Sequence, residues 1–265
     1  MPKFCANLTL LYNEHDFPDR FAAAAKAGFK GVEYLFPYDH PKTKLAGLLE
    51  KHRLVQVLHN LPAGNWGKGE RGIACHPDRV GEFQDGVGLA IEYARALSCT
   101  QLNCLAGLSP ADVPEERQRT TFVANLKFAA LKLKEAGMKL LIEPINTRDI
   151  PGFYLTRSSQ ALKIIDEVGS DNLFLQYDIY HMQVMEGDLA RTIETHLARI
   201  PHMQLADNPG RHEPGTGEIN YAFLFEHIDR IGYTGWIGCE YKPKTTTVEG
   251  LGWVQPFLEN TRRSA

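Results

Sequence analysis

Four short stretches of the chain each end in a polar side chain of a type that binds metal ions. They are Leu140–Glu143, Leu173–Asp178, His202–Gln204 and Trp236–Glu240. Three of them begin as runs of apolar or β-branched residues, the pattern of a buried parallel strand. A carboxylate left ionised and unpaired at the end of such a strand would be strongly unfavourable. The four oxygen ligands therefore predict a divalent-metal site formed by Glu143, Asp178, Gln204 and Glu240.

The amide of Gln204 narrows the choice of metal. A neutral amide oxygen is an acceptable ligand for Mg²⁺ or Mn²⁺ and suits Zn²⁺ less well. The sequence therefore predicts Mg²⁺, with Mn²⁺ as the alternative. The structural alternative for Gln204 is a core glutamine that is hydrogen-bonded to the backbone.

Glu143 and Glu240 also suit proton transfer. Two carboxylates that face each other across a cavity can bind a metal and exchange protons with a substrate between them. Each could instead form a salt bridge at the protein surface, and Lys242 is close enough in sequence to pair with Glu240. The presence of Asp178 and Gln204 in the same pattern favours the catalytic interpretation.

Four further side chains are candidates for binding a substrate. His181 follows Asp178 at a spacing that lets the carboxylate hold a cation while the imidazole reaches a substrate oxygen. Arg211 lies in a loop rich in glycine and proline, and its planar guanidinium suits a carboxylate or an oxyanion. The pair His59–Asn60 ends an earlier strand, and Arg71 lies in the long glycine-rich loop after it. For His59 and Arg71 a purely structural role fits the sequence equally well.

Strand-like and helix-like segments alternate along the whole chain. The strand candidates are Phe4–Leu11, Gly31–Phe36, Val55–Asn60, Gln101–Leu105, Lys139–Glu143, Leu173–Asp178, His202–Ala206 and Trp236–Glu240. The helical stretches between them are Asp16–Ala27, Pro41–His52, Arg79–Leu97, Glu115–Ala136, Ser158–Val168, Leu189–Ile200 and Tyr221–Ile231. This alternation predicts an α/β fold, a closed (β/α)8 TIM barrel in one domain over residues 1–265.

The barrel would place all of these candidates on one rim, because active sites of such barrels lie at the C-terminal ends of the strands. The first strand is followed by neither a GxGxxG nor a Walker-type loop, which argues against a dinucleotide-binding or P-loop fold. The predicted partner is therefore a small molecule bound at the barrel mouth.

Composition excludes other classes of partner. The net charge is −3, whereas nucleic-acid-binding domains usually carry a clustered basic face, so no nucleic acid is expected. No apolar run approaches the ~20 residues that cross a bilayer, so no membrane is expected. The five cysteines are scattered without CxxC spacing and the N-terminus lacks a signal-peptide pattern, which predicts a cytoplasmic protein with reduced thiols. A monomer and a homo-oligomer both remain open.

The chain resembles the hydroxypyruvate isomerase family, within the xylose-isomerase-like TIM barrels. The motifs that carry the resemblance are Ala6–Leu8, Gly31–Tyr38, Leu58–Gly64, Gly69–Ala74, Leu141–Asn146, Tyr177–Gln183, Pro214–Tyr221 and Gly238–Pro243. They are long and distributed over nearly the full length of the chain.

This resemblance implies a metal-dependent isomerase that interconverts hydroxypyruvate and 2-hydroxy-3-oxopropanoate (tartronate semialdehyde) through an enediolate. It implies that Glu143 and Glu240 transfer the protons, with Mg²⁺-type ligation by Glu143, Asp178, Gln204 and Glu240. Related ketose epimerases usually carry histidine in place of Gln204 and share the pattern matched by His181 and Arg211.

Other functions remain on the same scaffold. A 2-oxo-tetronate isomerase is the first, although His59–Pro62 and Arg71 follow the hydroxypyruvate pattern, and a ketose 3-epimerase is the second. A metal nuclease of the apurinic-endonuclease type would need several rim histidines and a basic groove. A non-catalytic barrel that binds keto acids would not need two opposed carboxylates.

Overall fold

The computed structural model describes residues 1–263 and shows a closed barrel of eight parallel strands. The strands are β1 Lys3–Asn7, β2 Gly31–Glu33, β3 Val55–Asn60, β4 Gln101–Cys104, β5 Lys139–Ile142, β6 Leu173–Asp178, β7 His202–Leu205 and β8 Trp236–Cys239. Each strand pairs with the next, and β8 pairs with β1 to close the barrel. The TIM-barrel prediction is confirmed.

Helices surround this barrel. They are α1 Phe17–Ala27, α2 Lys42–His52, α3 Val80–Ala96, α4 Glu115–Glu135, α5 Ser158–Val168, α6 Ile179–Met185, α7 Leu189–His196, α8 Tyr221–Arg230 and α9 Gln255–Arg263. The sequence pattern did not predict α6 and α9. Among the described residues, no helix combines the length and the apolar character needed to cross a membrane.

Most predicted boundaries are correct to within one or two residues. The predicted helix Leu189–Ile200 ends at His196 and continues as a 3₁₀ turn over Leu197–Arg199, and the other larger differences lie at the C-terminal ends of strands. β1 ends at Asn7 instead of Leu11, and β2 ends at Glu33 instead of Phe36. At these ends the chain leaves the hydrogen-bonded ladder and runs into loops that are nonetheless largely buried. Burial in the loops therefore extends the apolar pattern beyond the strands themselves.

The barrel interior is polar in its upper half. TIM barrels usually fill this space with branched apolar side chains. Here a small apolar group of Cys5, Val57, Leu58 and Leu141 packs together, and the carboxylate of Glu33, which Cys5 contacts, is fully buried. Burial raises the pKa of Glu33, but the charge and hydrogen bond of His202, with hydrogen bonds from amide groups, outweigh it and leave that pKa lowered.

Gly238 on β8 makes room for this carboxylate. A Cβ atom at position 238 would overlap the carboxyl group of Glu33. Because β8 and β1 separate β7 from β2 in the barrel, the missing side chain lets Glu33 extend across the interior to His202 on β7.

We expect Gly238→Ala to lower the free energy of unfolding by about 1–3 kcal/mol, because the added methyl group displaces a buried carboxylate from its hydrogen bonds. Gly47→Ala is the matched control, since Gly47 is exposed in α2 and an added Cβ has open space around it. This control should stabilise the helix by about 0.5–1 kcal/mol. Urea denaturation of both variants measures the difference, and equal stabilities would contradict the steric role of Gly238.

Candidate active site

A cavity of about 140 Å³ opens at the C-terminal ends of the strands. Five of the eight predicted site residues line it: Glu143, His181, Gln204, Arg211 and Glu240. Its remaining wall is largely apolar and includes Leu58, Leu105, Ile145, Ile150 and the indole of Trp66. The site is therefore a small and mostly enclosed space with several charged groups at its polar side.

Glu143 is the first residue after β5 and is held from the neighbouring strand. The amide of Asn103 on β4 donates to Glu143 Oε2 at 2.9 Å and also to Asn60 Oδ1 at 3.2 Å. Sequence analysis missed Asn103, although a polar side chain inside the buried strand Gln101–Cys104 was the available signal. Burial, with the charges of Glu240 and Asp178, raises the pKa of Glu143 well above its usual value.

Asp178 both ends β6 and caps α6. Its Oδ1 atom accepts the backbone N–H groups of Tyr180 at 2.8 Å and His181 at 3.3 Å. Its Oδ2 atom is buried and has no hydrogen-bond partner among the described residues. The cap fixes the carboxylate and leaves one oxygen directed away from the helix backbone, as a metal ligand requires.

The potential ligand atoms of Glu143, Asp178 and His181 all lie within 4.8 Å of one another. Burial raises the pKa values of Asp178 and Glu240 as well as that of Glu143, and the nearby guanidinium of Arg211 lowers them in part. Three buried carboxyl groups with one cationic partner leave an excess of negative charge. A divalent cation would supply the missing positive charge and a partner for Asp178 Oδ2, so the residues present fit a metal.

The hydrogen bonds of His181 define which ring nitrogen carries its proton. The Asn146 side-chain amide donates to Nδ1 at 2.7 Å, and the orientation of that amide is fixed because its oxygen accepts the Asp149 N–H at 2.7 Å. Nδ1 is therefore the acceptor and Nε2 carries the hydrogen. Burial, together with Arg211, lowers the pKa of His181 well below its usual value. Nε2 lies 3.6 Å from Asp178 Oδ2, and a neutral imidazole with an Nε2–H can donate to an oxygen atom.

Arg211 lies between the carboxylates of Glu240 and Asp149. Its guanidinium donates to Glu240 Oε1 at 3.1 Å and to Asp149 Oδ2 at 3.3 Å, and lies 5.2 Å from the ring centre of Tyr180. Its Nε–H group is buried without a hydrogen-bond partner among the described residues. The structure thus pairs Glu240 with Arg211, whereas the sequence alternative had offered Lys242.

Gln204 is hydrogen-bonded to side chains. Its Nε2 atom donates to Glu33 Oε1 at 2.8 Å, and its Oε1 atom accepts from Gln176 Nε2 at 2.6 Å. Glu33 and Gln176 also line the cavity and were missed by sequence analysis. The alternative of a glutamine bonded to the backbone does not match these contacts.

His59 lies on the opposite face of β3 from the cavity. Side chains alternate along a strand, and here Leu58 and Asn60 line the cavity while the ring of His59 packs against Tyr38. Burial lowers the pKa of His59 to about 4. The side chain of β3 that can meet a substrate is therefore Asn60, one residue further along.

Arg71 contacts the cavity wall only through Trp66. Its guanidinium carbon lies 4.1 Å from the centre of the Trp66 ring, and its Nη1 donates to the carbonyl oxygens of Trp66 at 3.1 Å and Glu70 at 2.7 Å. The indole, which lines the cavity, also packs against Phe36. The position of Arg71 is thus that of a support for Trp66.

Comparison with known proteins is consistent with this geometry. Residues 21–257 match the family model of the xylose isomerase-like TIM barrel. The chain is 55% identical to the hydroxypyruvate isomerase of Escherichia coli (strain K12), covering 97% of this chain and 100% of that protein. It is 49% identical to the 2-oxo-tetronate isomerase of Cupriavidus necator, covering 97% and 99%.

A solved structure described as an AP endonuclease, family 2, from Brucella melitensis superposes with a TM-score of 0.95. Its sequence is 44% identical, and the match covers 97% of this chain and 99% of that one. The family match, the identities and the coverage together show that this chain belongs to the hydroxypyruvate isomerase family of the xylose isomerase-like TIM barrels.

Proposed function

We propose that this isomerase interconverts hydroxypyruvate and 2-hydroxy-3-oxopropanoate through an enediolate, with Glu143 and Glu240 transferring the protons. The observation that carries the proposal is that both carboxylates line one small cavity, from β5 and from β8. The name of the E. coli relative supports the choice of substrate. We further propose Mg²⁺, with Mn²⁺ as the alternative, held by Glu143, Asp178, Gln204 and Glu240.

The size of the cavity favours a small 2-oxo acid. An apolar protein cavity of about 150 Å³ holds one benzene molecule. The 140 Å³ cavity of this protein is similar, and hydroxypyruvate has nearly the same number of non-hydrogen atoms as benzene. A 2-oxo-tetronate is only one hydroxymethylene unit larger than hydroxypyruvate, and the cavity opens toward a further space beside Trp66.

In the forward reaction a proton leaves C3 of hydroxypyruvate and the electron pair forms the C2–C3 double bond of the enediolate. A proton then returns at C2, the proton of the C3 hydroxyl group passes to the C2 oxygen, and the C3 oxygen becomes that of the aldehyde. A divalent cation, when bound, supplies positive charge to the two adjacent oxygens during this exchange. One glutamate takes the C3 proton and the other returns a proton to C2.

The remaining residues orient the substrate. The Nε2–H of neutral His181 can donate to a substrate oxygen, and Arg211 offers its guanidinium to the substrate carboxylate. Burial raises the pKa of Glu143 above its usual value and that of Glu240 to about 8, so each carboxyl group holds a proton more readily than an exposed one does. Asn60 provides a further polar contact at β3.

The nuclease alternative is less consistent with the site. The cavity that holds the carboxylates is lined mainly by apolar, amide and acidic side chains and offers Arg211 as a cationic side chain. The net charge of −3 also offers little attraction to a polyanion. Incubation of the Mg²⁺-loaded and Zn²⁺-loaded protein with DNA that contains an abasic site tests this alternative, and strand cleavage would support it.

Asp178→Ala is expected to abolish metal-dependent turnover and weaken Mn²⁺ binding, because it removes an anionic ligand. It also removes the helix cap, so we expect it to be less stable than Asp178→Asn by about 0.5–2 kcal/mol. Asp178→Asn keeps the cap acceptor, and it should still lose turnover because the charge is gone. Isothermal titration with Mn²⁺ and circular dichroism distinguish the two effects. Near-normal turnover of either variant after chelation would contradict the metal site.

Arg211→Met should raise KM for hydroxypyruvate by about 30- to 150-fold, the equivalent of losing a charge-assisted contact worth about 2–3 kcal/mol. Arg71→Met is the matched comparison and should have a smaller effect, since Arg71 reaches the cavity only through Trp66. Steady-state kinetics of both variants measure this. Unchanged kinetics in both variants would indicate that the metal or backbone N–H groups bind the substrate carboxylate instead.

Glu143→Gln and Glu240→Gln should each lower kcat by about 10²- to 10⁴-fold with little change in KM, because shape is kept and the base is lost. In deuterated water, the variant that keeps the C3 base should still exchange the C3 hydrogen without forming product, and the other variant should do neither. Proton NMR follows the exchange. Glu226→Gln, on the exposed face of α8, is the control. Turnover like that of the unmodified protein in either variant would contradict the two-glutamate mechanism.

A further inference from the structure

The buried carboxylate of Glu33 contacts Gln204, one of the candidate metal ligands. Its Oε2 atom is 2.7 Å from His202 Nε2, and its Oε1 atom accepts from Gln204 Nε2 at 2.8 Å and from Asn7 Nδ2 at 2.9 Å. The side chain is fully buried, yet it borders the cavity floor. A buried carboxylate is costly unless its partners are all in place, so a specific role is expected.

The neighbours of Glu33 leave it as an acceptor. The amide of Asn7 is oriented by the Thr9 N–H, which donates to Asn7 Oδ1 at 3.0 Å, so Asn7 must present its Nδ2 to the carboxylate. The Gln204 amide meets the same oxygen. A carboxylate has no proton to give, and therefore only the nitrogen end of Gln204 can face it.

The orientation of the Gln204 amide determines that of the Gln176 amide. With its nitrogen bound to Glu33, Gln204 presents Oε1 at its other side, where Gln176 Nε2 donates at 2.6 Å. This leaves Gln176 Oε1 buried without a hydrogen-bond partner among the described residues, on a side chain that lines the cavity. The Glu33 carboxylate thus determines the orientation of both side-chain amides that follow it, Gln204 and Gln176.

We propose that Glu33 is a positioning residue that holds the Gln204 amide with its nitrogen toward the barrel interior and its oxygen, which accepts one hydrogen bond from Gln176, with its second lone pair available to the metal. The two ends of a glutamine amide have nearly the same shape, so packing alone does not select one. In the reversed orientation the NH₂ group would face the cation and repel it. Glu33 excludes that orientation because the amide oxygen would then face a carboxylate. This inference rests on the proposed metal site.

The test exchanges the acid and the amide. Glu33→Gln removes the obligatory acceptor, so both orientations of Gln204 become accessible and Mn²⁺ affinity should fall by about 10- to 100-fold, as for other residues that orient metal ligands. The double variant Glu33→Gln/Gln204→Glu keeps the volume and the net charge. Because the two oxygens of a carboxylate are equivalent, the new side chain at 204 needs no orienting partner. Its Mn²⁺ affinity should be at least tenfold higher than that of Glu33→Gln.

Isothermal titration with Mn²⁺ on the metal-free proteins measures these affinities without relying on turnover. Cys5→Ala is the control, since Cys5 Sγ contacts Glu33 Oε2 at 3.5 Å and lies outside the Gln204 contact. Its Mn²⁺ affinity should be unchanged. Equal affinities of Glu33→Gln and the unmodified protein, or a double variant as weak as Glu33→Gln, would overturn the proposal. An unmodified protein that binds no Mn²⁺ would instead overturn the proposed metal site.

A measurement on the unmodified protein decides the question if the variants do not fold. With the glutamines labelled in the side-chain amide, addition of Mg²⁺ should shift the Cδ resonance of Gln204 strongly. The Nε2 proton donated to Glu33 should remain protected from exchange with solvent. If Mg²⁺ binds but the Gln204 Cδ resonance does not move, or if both Nε2 protons exchange freely, the positioning role is excluded.

Discussion

The site depends on three carboxyl groups that lie close to one another in a buried space. Glu143, Asp178 and Glu240 meet at the end of the barrel with Arg211 as their cationic neighbour, and burial raises the pKa values of all three carboxyl groups. Such a group is stable only if further positive charge or protons are supplied. A metal ion and a proton-transfer reaction both meet this requirement, which links the electrostatics of the fold to its chemistry.

Different elements of the barrel hold the three carboxylates in place. Asp178 is oriented by the first turn of α6, Glu143 by Asn103 and Glu240 by Arg211. Each carboxylate is thus fixed by a different element before any ligand arrives, which reduces the reorganisation needed on binding. The polar groups beneath them, from Glu33 to Gln176, extend the same arrangement into the barrel interior.

The sequence was sufficient for the fold and for the side chains at strand ends, because both follow from local periodicity and from the direction of parallel strands. It was insufficient where a contact depends on one residue of register or on a distant element. Of the pair His59–Asn60 only Asn60 lines the cavity, because the two lie on opposite faces of β3. Glu33 was overlooked because its contact with Gln204 crosses the barrel through the space left by Gly238, which no local pattern encodes.

The reaction and the choice of substrate depend on different parts of the site. Relatives that share 55% and 49% identity with this chain carry names for two different 2-oxo acid substrates, so the family carries out isomerisation on substrates of more than one length. In the proposed mechanism the carboxylates and the metal act on the carbonyl carbon and its neighbour, which these substrates share. Under that mechanism we expect discrimination between them to depend on the apolar part of the cavity wall, where one extra hydroxymethylene unit would have to fit. Trp66 belongs to that wall and contacts Arg71 and Phe36, which makes the loop after β3 the segment where we expect differences in substrate length to be accommodated.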